Sequence, residues 1–384
     1  MNKKDISEIK KQFTPGSCAI TRICGCYVDG EKEKKSEMRE AFLSLPEEEM
    51  FKYFEIFRKN LSGTLGKNLI NMEFPLSAES EGDTHDFLMK LRASRLGDDA
   101  LLDLFYDKVI ENYDYTGSFL ILLIHSAYDI PGKSADGHEM FDASDEVYEY
   151  LICSICPVKL SKPGLCYNAE QGTIQNRVRD WLVELPDTGF LFPAFNERST
   201  DIHSLLFYSK NADEFQAQLV EEVLGCTLPM PASSQKETFN SLIEETLGDD
   251  CDYESVKIIH EKLSEMVEEK KEEPEPLTLD KAEVRALLSE SGAAPERLHD
   301  FDSRYEEAAG SHAPILASNV INTRKFEIRT PDVIIQVSPD RADLVETRIV
   351  DGRQCLVIPM DEHVEVNGIC VRPGAKAPAG NEPF

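Results

Sequence analysis

The sequence predicts an α+β protein with N-terminal helices, a central antiparallel sheet, a helical segment and a small C-terminal β unit. Three observations carry this. Met50, Tyr53, Phe54, Phe57 and Leu61 recur at helical spacing. Runs of branched and aromatic residues, of strand length, follow Tyr113 and are punctuated by Gly, Pro, Asn and Asp. Asp351-Gly352 sits between two apolar runs, the signature of a two-residue type I′ hairpin turn.

The elements follow in order. Residues 1–112 form a helical N-terminal part. Pro46 suits a first helical turn, and Glu47, Glu48 and Glu49 suit the positive end of the helix dipole. Two more helices are expected at about Thr84–Arg95 and Asp98–Asn112, punctuated by Gly82 and Gly97. Residues 113–271 hold an antiparallel sheet and the helices after it. Ser118–His125, Val147–Val158, Arg179–Leu185 and Ile202–Ser209 are strands, and Pro186–Gly189 is a turn leading from Trp181–Leu185 into Phe190–Phe195. A sheet of four to six strands is the sum.

Helices return with Asp213–Leu224, which stops at Gly225. A capping box at Ser234–Glu237 starts a helix to Leu247, and an amphipathic helix covers Tyr253–Lys271. Residues 272–279 form an acidic linker whose prolines and like charges favour an extended, solvated chain. Residues 280–372 contain further helices and the C-terminal β-hairpin unit. Asp280 caps a helix running to about Glu290, and strands begin at Lys325. Counting out from Asp351-Gly352 pairs Ile349 with Gln354, Thr347 with Leu356 and Val345 with Ile358, a mostly apolar face expected to be core. The tail 373–384 is poor in apolar residues and is expected to be disordered.

Charge is the strongest compositional signal. The 384 residues carry 71 acidic against 41 basic side chains, a formal −30, and residues 244–310 alone carry −13. Such a balance keeps a chain soluble and repels polyanions. The N-terminal residues lack the uninterrupted apolar core of a secretory signal, and Phe119–Ile124 is far too short for a membrane helix. A cytoplasmic protein with no membrane contact is expected. The ten cysteines are then free thiols. Cys153-x-x-Cys156 lacks the second ligand pair of a structural zinc site, and Pro157 prevents the helix of a redox pair, so both thiols are read as packing. No metal site and no cofactor are expected.

Several constellations could carry chemistry. Asp201 and His203, two apart on the expected strand, would share a face and could act as a general base or hold a metal. His125 and Asp129 are a similar pair. Pro331-Asp332 followed by Glu346-Thr347-Arg348 resembles a nuclease pattern in which carboxylates hold Mg²⁺, with arginine where a lysine would stand. Asp201, His203, Asp332 and Glu346 are therefore the candidate catalytic residues. Gly63-Thr-Leu-Gly66-Lys67-Asn68 falls short of a phosphate loop, having too few residues and no hydroxyl after the lysine. Arg324, Lys325, Arg329, Arg341, Arg348 and Arg353 form the one candidate nucleic-acid-binding cluster.

Two resemblances add to this. From Lys3-Lys-Asp-Ile-Ser-Glu-Ile-Lys-Lys-Gln-Phe to about Ile369, with Ile-Cys-Gly-Cys-Tyr-Val-Asp-Gly (23–30), Gly-Phe-Leu-Phe-Pro-Ala-Phe-Asn (189–196) and Asp-Gly-Arg-Gln-Cys-Leu-Val-Ile (351–358), the chain resembles a bacterial family known as a domain of unknown function. That likeness implies no activity. Phe215–Glu245, with Leu-Gly-Cys (224–226) and Glu-Thr-Phe-Asn-Ser-Leu-Ile (237–243), is similar to the central helical part of NdpA-like nucleoid-associated proteins. The strands from Lys325 through the Asp-Gly hairpin are similar to that family's C-terminal strands. The likeness covers about a quarter of the chain and implies nucleoid association, with DNA or a DNA-handling protein as partner.

The expectation is thus a non-enzymatic, nucleoid-associated protein acting through DNA or a protein partner. Its alternatives are a metal-dependent hydrolase of phosphodiesters and a scaffold whose acidic segment meets a basic partner. The sequence leaves the oligomeric state open.

Overall fold

A computed structural model describes residues 1–77, 83–133, 139–309, 315–359 and 364–371. The expected punctuation at Gly82 and the tail 373–384 lie outside the described residues.

Strands β1 (Ile20–Val28), β2 (Lys34–Ala41), β3 (Leu69–Glu73), β4 (Ser118–Lys133), β5 (Glu139–Leu160), β6 (Leu165–Asn168), β7 (Thr173–Asn176), β8 (Trp181–Val183), β9 (Thr188–Phe192), β10 (Ala194–Asn196), β11 (Ser199–Asp201) and β12 (Ser204–Ser209) occupy the first 209 residues. Eight of them make one sheet in the order β2-β1-β4-β5-β9-β12-β3, with β8 also paired to β5. Each pair in it is antiparallel. The sheet is larger than the four to six strands expected, because β1, β2 and β3 come from the N-terminal part among its helices. β8 and β9 both run antiparallel to β5, Val183 opposite Val158 and Thr188 opposite Ile155. Pro186–Gly189 is therefore a break in one line of strand along β5.

Helices cover both faces. The side chains of β4 alternate, so Ile121 and Leu123 join one core while Leu122 and Ile124 join another. On the first face lie α3 (Asp83–Ala93), α4 (Asp99–Asn112) and a π-helical turn at Leu219–Leu224, contributing Leu88, Leu91, Phe105, Val220 and Leu224. That turn ends at Gly225, as expected, with φ +71°. On the second face lie α1 (Lys3–Lys11) and α2 (Glu47–Asn60), contributing Ile6, Ile9, Phe54 and Phe57.

A third core is helical. Phe239, Leu242, Ile259, Leu263, Val284, Leu288 and Phe301 join α5 (Ala232–Leu247), α6 (Tyr253–Glu269), α7 (Lys281–Glu290) and α9 (Phe301–Ala309). Short helices α8 (Pro295–Leu298) and α10 (Ala317–Val320) and the two-residue strands β13 (Thr278–Leu279) and β14 (Ile315–Leu316) complete it. α5 starts two residues before Ser234, with Pro231 at the N-cap and no side-chain cap, so the expected capping box is not formed. Asp280 does cap α7, accepting from Glu283 N–H while the Glu283 carboxylate accepts from Asp280 N–H.

This helical part touches the sheet at Gly66, in the loop between α2 and β3. Asn319 Nδ2 donates to Gly66 O at 3.1 Å, and a Cβ on Gly66 would overlap Leu316. The glycine that suggested a phosphate loop is a packing position.

The C-terminal strands form three separate hairpins: β15 (Phe326–Arg329) with β16 (Ile334–Val337), β17 (Glu346–Val350) with β18 (Arg353–Val357), and β19 (Val364–Val366) with β20 (Ile369–Val371). Ile349 pairs with Gln354 and Thr347 with Leu356 as expected, and Asp351 and Gly352 both have positive φ, as a type I′ turn requires. The burial differs. Val345 is buried, but Ile349 is 80% exposed, because no second layer covers this two-stranded unit among the described residues.

Candidate functional site

The six candidate basic residues are spread over two hairpins, the turn before the first and the helical turn Pro339–Leu344 between them. Lys325 and Arg329 share a face of the β15–β16 unit with Glu327 between them. Arg329 pairs with Glu327 at 2.9 Å, and Lys325 Nζ donates to Gln336 at 3.1 Å. Arg348 and Arg353 share a face of the β17–β18 unit, where Arg348 pairs with Glu346 at 2.7 Å. Arg341 pairs with Asp343 at 3.4 Å, and Arg324 lies in the turn before β15, its N–H bonded to Asn322 Oδ1 at 3.0 Å. Each of the three ion pairs sets a carboxylate at the arginine that a phosphate would need.

The candidate catalytic carboxylates also have structural partners. Asp201 ends β11 and His203 follows in the turn before β12, so the two are not on one strand. Asp201 accepts from His203 N–H at 3.0 Å, from Asn196 Nδ2 at 2.6 Å and from Ser204 Oγ. Burial acts to raise its carboxyl, and these hydrogen bonds outweigh that and leave it below the usual range. The Asp201 carboxylate thus organises a tight turn, and the His203 side chain is exposed. Asp332 is exposed in the turn between β15 and β16, while Glu346 lies on the next hairpin beside Arg348.

Among the described residues, the cluster of three or more potential metal ligands is Asp29, Glu31 and Glu33, within 4.8 Å of one another in the β1–β2 turn. Two of its three carboxylates already have partners. Asp29 Oδ1 accepts from the N–H of Glu31 and of Glu33 at 3.0 Å, and Lys35 Nζ lies 2.9 Å from Asp29 and 2.6 Å from Glu33.

His125 is the most perturbed of the sequence candidates. It is fully buried on β4, on the face covered by α3, and its Nδ1 lies 2.8 Å from Thr21 Oγ1. Its Nε2 faces Glu149 at 3.9 Å, beyond hydrogen-bond reach. Burial pushes its pKa from the usual 6.5 down to about 4, although Glu149 opposes this, because Arg95 and Arg92 add to the burial effect. Asp129, its sequence partner, is exposed four residues on. At neutral pH this histidine is a neutral core residue.

A surface that includes part of the expected strand Arg179–Leu185 stands out in the fold. Leu165, Tyr167, Ile174 and Val178, on and after the β6–β7 hairpin, are exposed, as are Trp181, Leu182 and Val183 of β8 and the following Leu185. Between β8 and α2 runs a groove of about 460 Å³, lined by Tyr53, Ile56, Leu120, Val183 and Leu185 together with Glu49, Lys52, Glu55 and Glu184. Isolated exposed apolar side chains are ordinary, but a contiguous stretch beside a groove marks an interaction surface. The sequence signal was the apolar run Trp181-Leu182-Val183, which has no polar alternate face, unlike a strand with one side in water.

Fold and surface together define an acidic α+β protein built on one large antiparallel sheet. Residues 1–369 match the family described as domain of unknown function (DUF4317), and the chain belongs to that family. No curated protein and no solved structure matches it. Among the described residues, no helix is long and apolar enough to cross a membrane.

Proposed function

We propose that this is a non-enzymatic, nucleoid-associated cytoplasmic protein that reaches DNA through a protein partner. The carrying observation is the pairing of the candidate DNA-binding arginines. Arg329 and Arg348 each hold a carboxylate of their own hairpin, and Arg341 holds Asp343 in the helical turn Pro339–Leu344 between them, so a phosphate arriving there meets locally cancelled charge. The formal −30 of the whole chain works in the same direction. The likeness of Phe215–Glu245 and the C-terminal strands to NdpA-like proteins supports the nucleoid assignment, and the exposed apolar surface around β8 supports the protein partner.

The test is fluorescence anisotropy of labelled duplex DNA with purified protein across a salt series, alongside nucleoid localisation in cells. The reading requires no binding at low salt, and localisation unchanged when Arg324, Lys325 and Arg329 are all replaced by Glu. Affinity falling linearly in log–log salt dependence would establish direct phosphate contact and overturn it.

A further inference from the structure

β8 pairs with β5 and, among the described residues, with no other strand. The ladder fixes what its outer side offers. Glu184 N–H donates to Pro157 O and Ser161 N–H to Asp180 O, each at 2.8 Å. Residues 180, 182 and 184 therefore turn their backbone groups toward β5, and Trp181 and Val183 turn theirs away. Free edges are ordinarily guarded by charged side chains, prolines or a covering element. The sheet's edge strand β2 obeys this, reading Lys-Lys-Ser-Glu-Met-Arg-Glu-Ala. β8 is Trp-Leu-Val, with exposures of 59%, 49% and 46%.

The groove beside this edge supplies the charge. Glu184 is paired with Lys159 at 2.7 Å. Among the described residues Glu49, Lys52 and Glu55 of α2 carry no ion pair, so this rim holds two such acids to one base. A free backbone edge, an apolar floor and acids on one rim are complementary to an extended chain that carries both apolar and basic residues on the one face it turns to the groove.

We infer that β8 is a docking edge for such a segment of a protein partner, which adds to the sheet as a strand, sets its apolar side chains in the groove and its lysines or arginines against Glu49 and Glu55. This rests on the partner-mediated reading above and names the surface and the partner chemistry. A second copy of the chain is the poorer occupant, since it would bring another −30 to a rim that is already acidic.

Trp181 is the chain's one tryptophan, so its emission reports on this edge. The full chain is titrated with a synthetic peptide repeating Thr-Val-Thr-Lys, whose valines and lysines share one face of a strand, and with the same peptide carrying glutamate for lysine. The expected result is a saturable blue shift with the lysine peptide and binding at least about tenfold weaker with the glutamate peptide. Val183→Pro removes an outward N–H and leaves the bonds to β5 and the fluorophore in place, so it should abolish the shift with Tm within about 3 °C of wild type. Glu49→Lys with Glu55→Lys, both on the helix surface, should weaken the lysine peptide by about tenfold or more. Equal response to both peptides, undiminished binding by Val183→Pro, or a dimer in sedimentation that Val183→Pro dissolves would each overturn the docking inference. Labelled duplex DNA in parallel samples tests the partner-mediated reading separately. Direct DNA binding with Trp181 still responding to peptide sinks that reading alone, and no DNA binding with a silent Trp181 sinks the docking edge alone.

Discussion

Cys153 and Cys156, three residues apart on β5, bury their side chains on opposite faces of the sheet, one in each core. Side chains alternate along a strand, so an odd spacing separates them by the thickness of the sheet. The Cys-x-x-Cys spacing therefore cannot close a disulfide or share a metal here. Burial raises both thiols well above their usual pKa and pushes Cys24 and Cys26 up to about 11. Titration of the native protein with a thiol reagent should label exposed Cys370 first. Cys24, Cys26, Cys153, Cys156 and Cys226 should react roughly a thousandfold more slowly, through opening of the fold, and all ten should react in denaturant. Fast labelling of Cys153 would contradict its position.

Gly189 of β9 lies where Asn60, at the end of α2, reaches the sheet. Asn60 Nδ2 donates to Cys153 O at 3.0 Å and also to Ser154 Oγ, and a Cβ on Gly189 would stand 2.4 Å from Cys153 O and 2.6 Å from Asn60 Oδ1. The first of these atoms is backbone and cannot swing aside. Gly189→Ala should cost about 2–4 kcal/mol in urea unfolding, above the usual range for overpacking because backbone must move. A change below about 0.5 kcal/mol would mean that β5 and β9 are not held in this register.

The burial of His125 should appear as a pH dependence. Its pKa is depressed from 6.5 to about 4, so between those values the unfolded chain binds a proton that the folded chain does not. Stability from this site is therefore full above about pH 6.5 and falls as pH drops toward 4, by about 3 kcal/mol in total. Urea unfolding of wild type and His125→Gln at pH 7 and pH 4.5 separates this from the titration of the many carboxylates. The variant should lose less stability between the two pH values, whatever its absolute stability. Parallel losses would place the histidine in contact with solvent.

Local rules were legible in the sequence and tertiary ones were not. The Asp351-Gly352 turn fixes its own register, so the pairs Ile349–Gln354 and Thr347–Leu356 could be counted from the turn. Whether that face is buried depends on a covering layer elsewhere in the chain, and among the described residues none covers Ile349, which is 80% exposed. β2 escaped notice because a charged edge strand has the composition of a surface helix, and β3 because five residues are too few to show a period. β1 is apolar on both sides because it lies inside the sheet between two helical layers. In the candidate site, Asp201, Asp332 and Glu346 could be found as acids in suggestive spacing. What holds each of them is set by turns and hairpins that spacing alone does not specify.

Those partners separate the carboxylates by experiment. Asp201 ties together the β10–β11 hairpin and the start of β12 through Asn196, His203 N–H and Ser204. Asp201→Ala would leave these donors unmet and should cost about 1–3 kcal/mol. Asp332, exposed in a turn, should tolerate Asp332→Ala within about 0.5 kcal/mol. If either residue instead holds a catalytic cation, calorimetry should find tight, stoichiometric Mn²⁺ binding to the wild type that the corresponding alanine variant abolishes. The geometry predicts the other pattern, in which wild type and both variants give the same Mn²⁺ isotherm while only Asp201→Ala lowers the urea midpoint. A stoichiometric Mn²⁺ site lost with Asp332→Ala would restore the phosphodiester hydrolase reading, because a surface turn residue has no structural route to that effect.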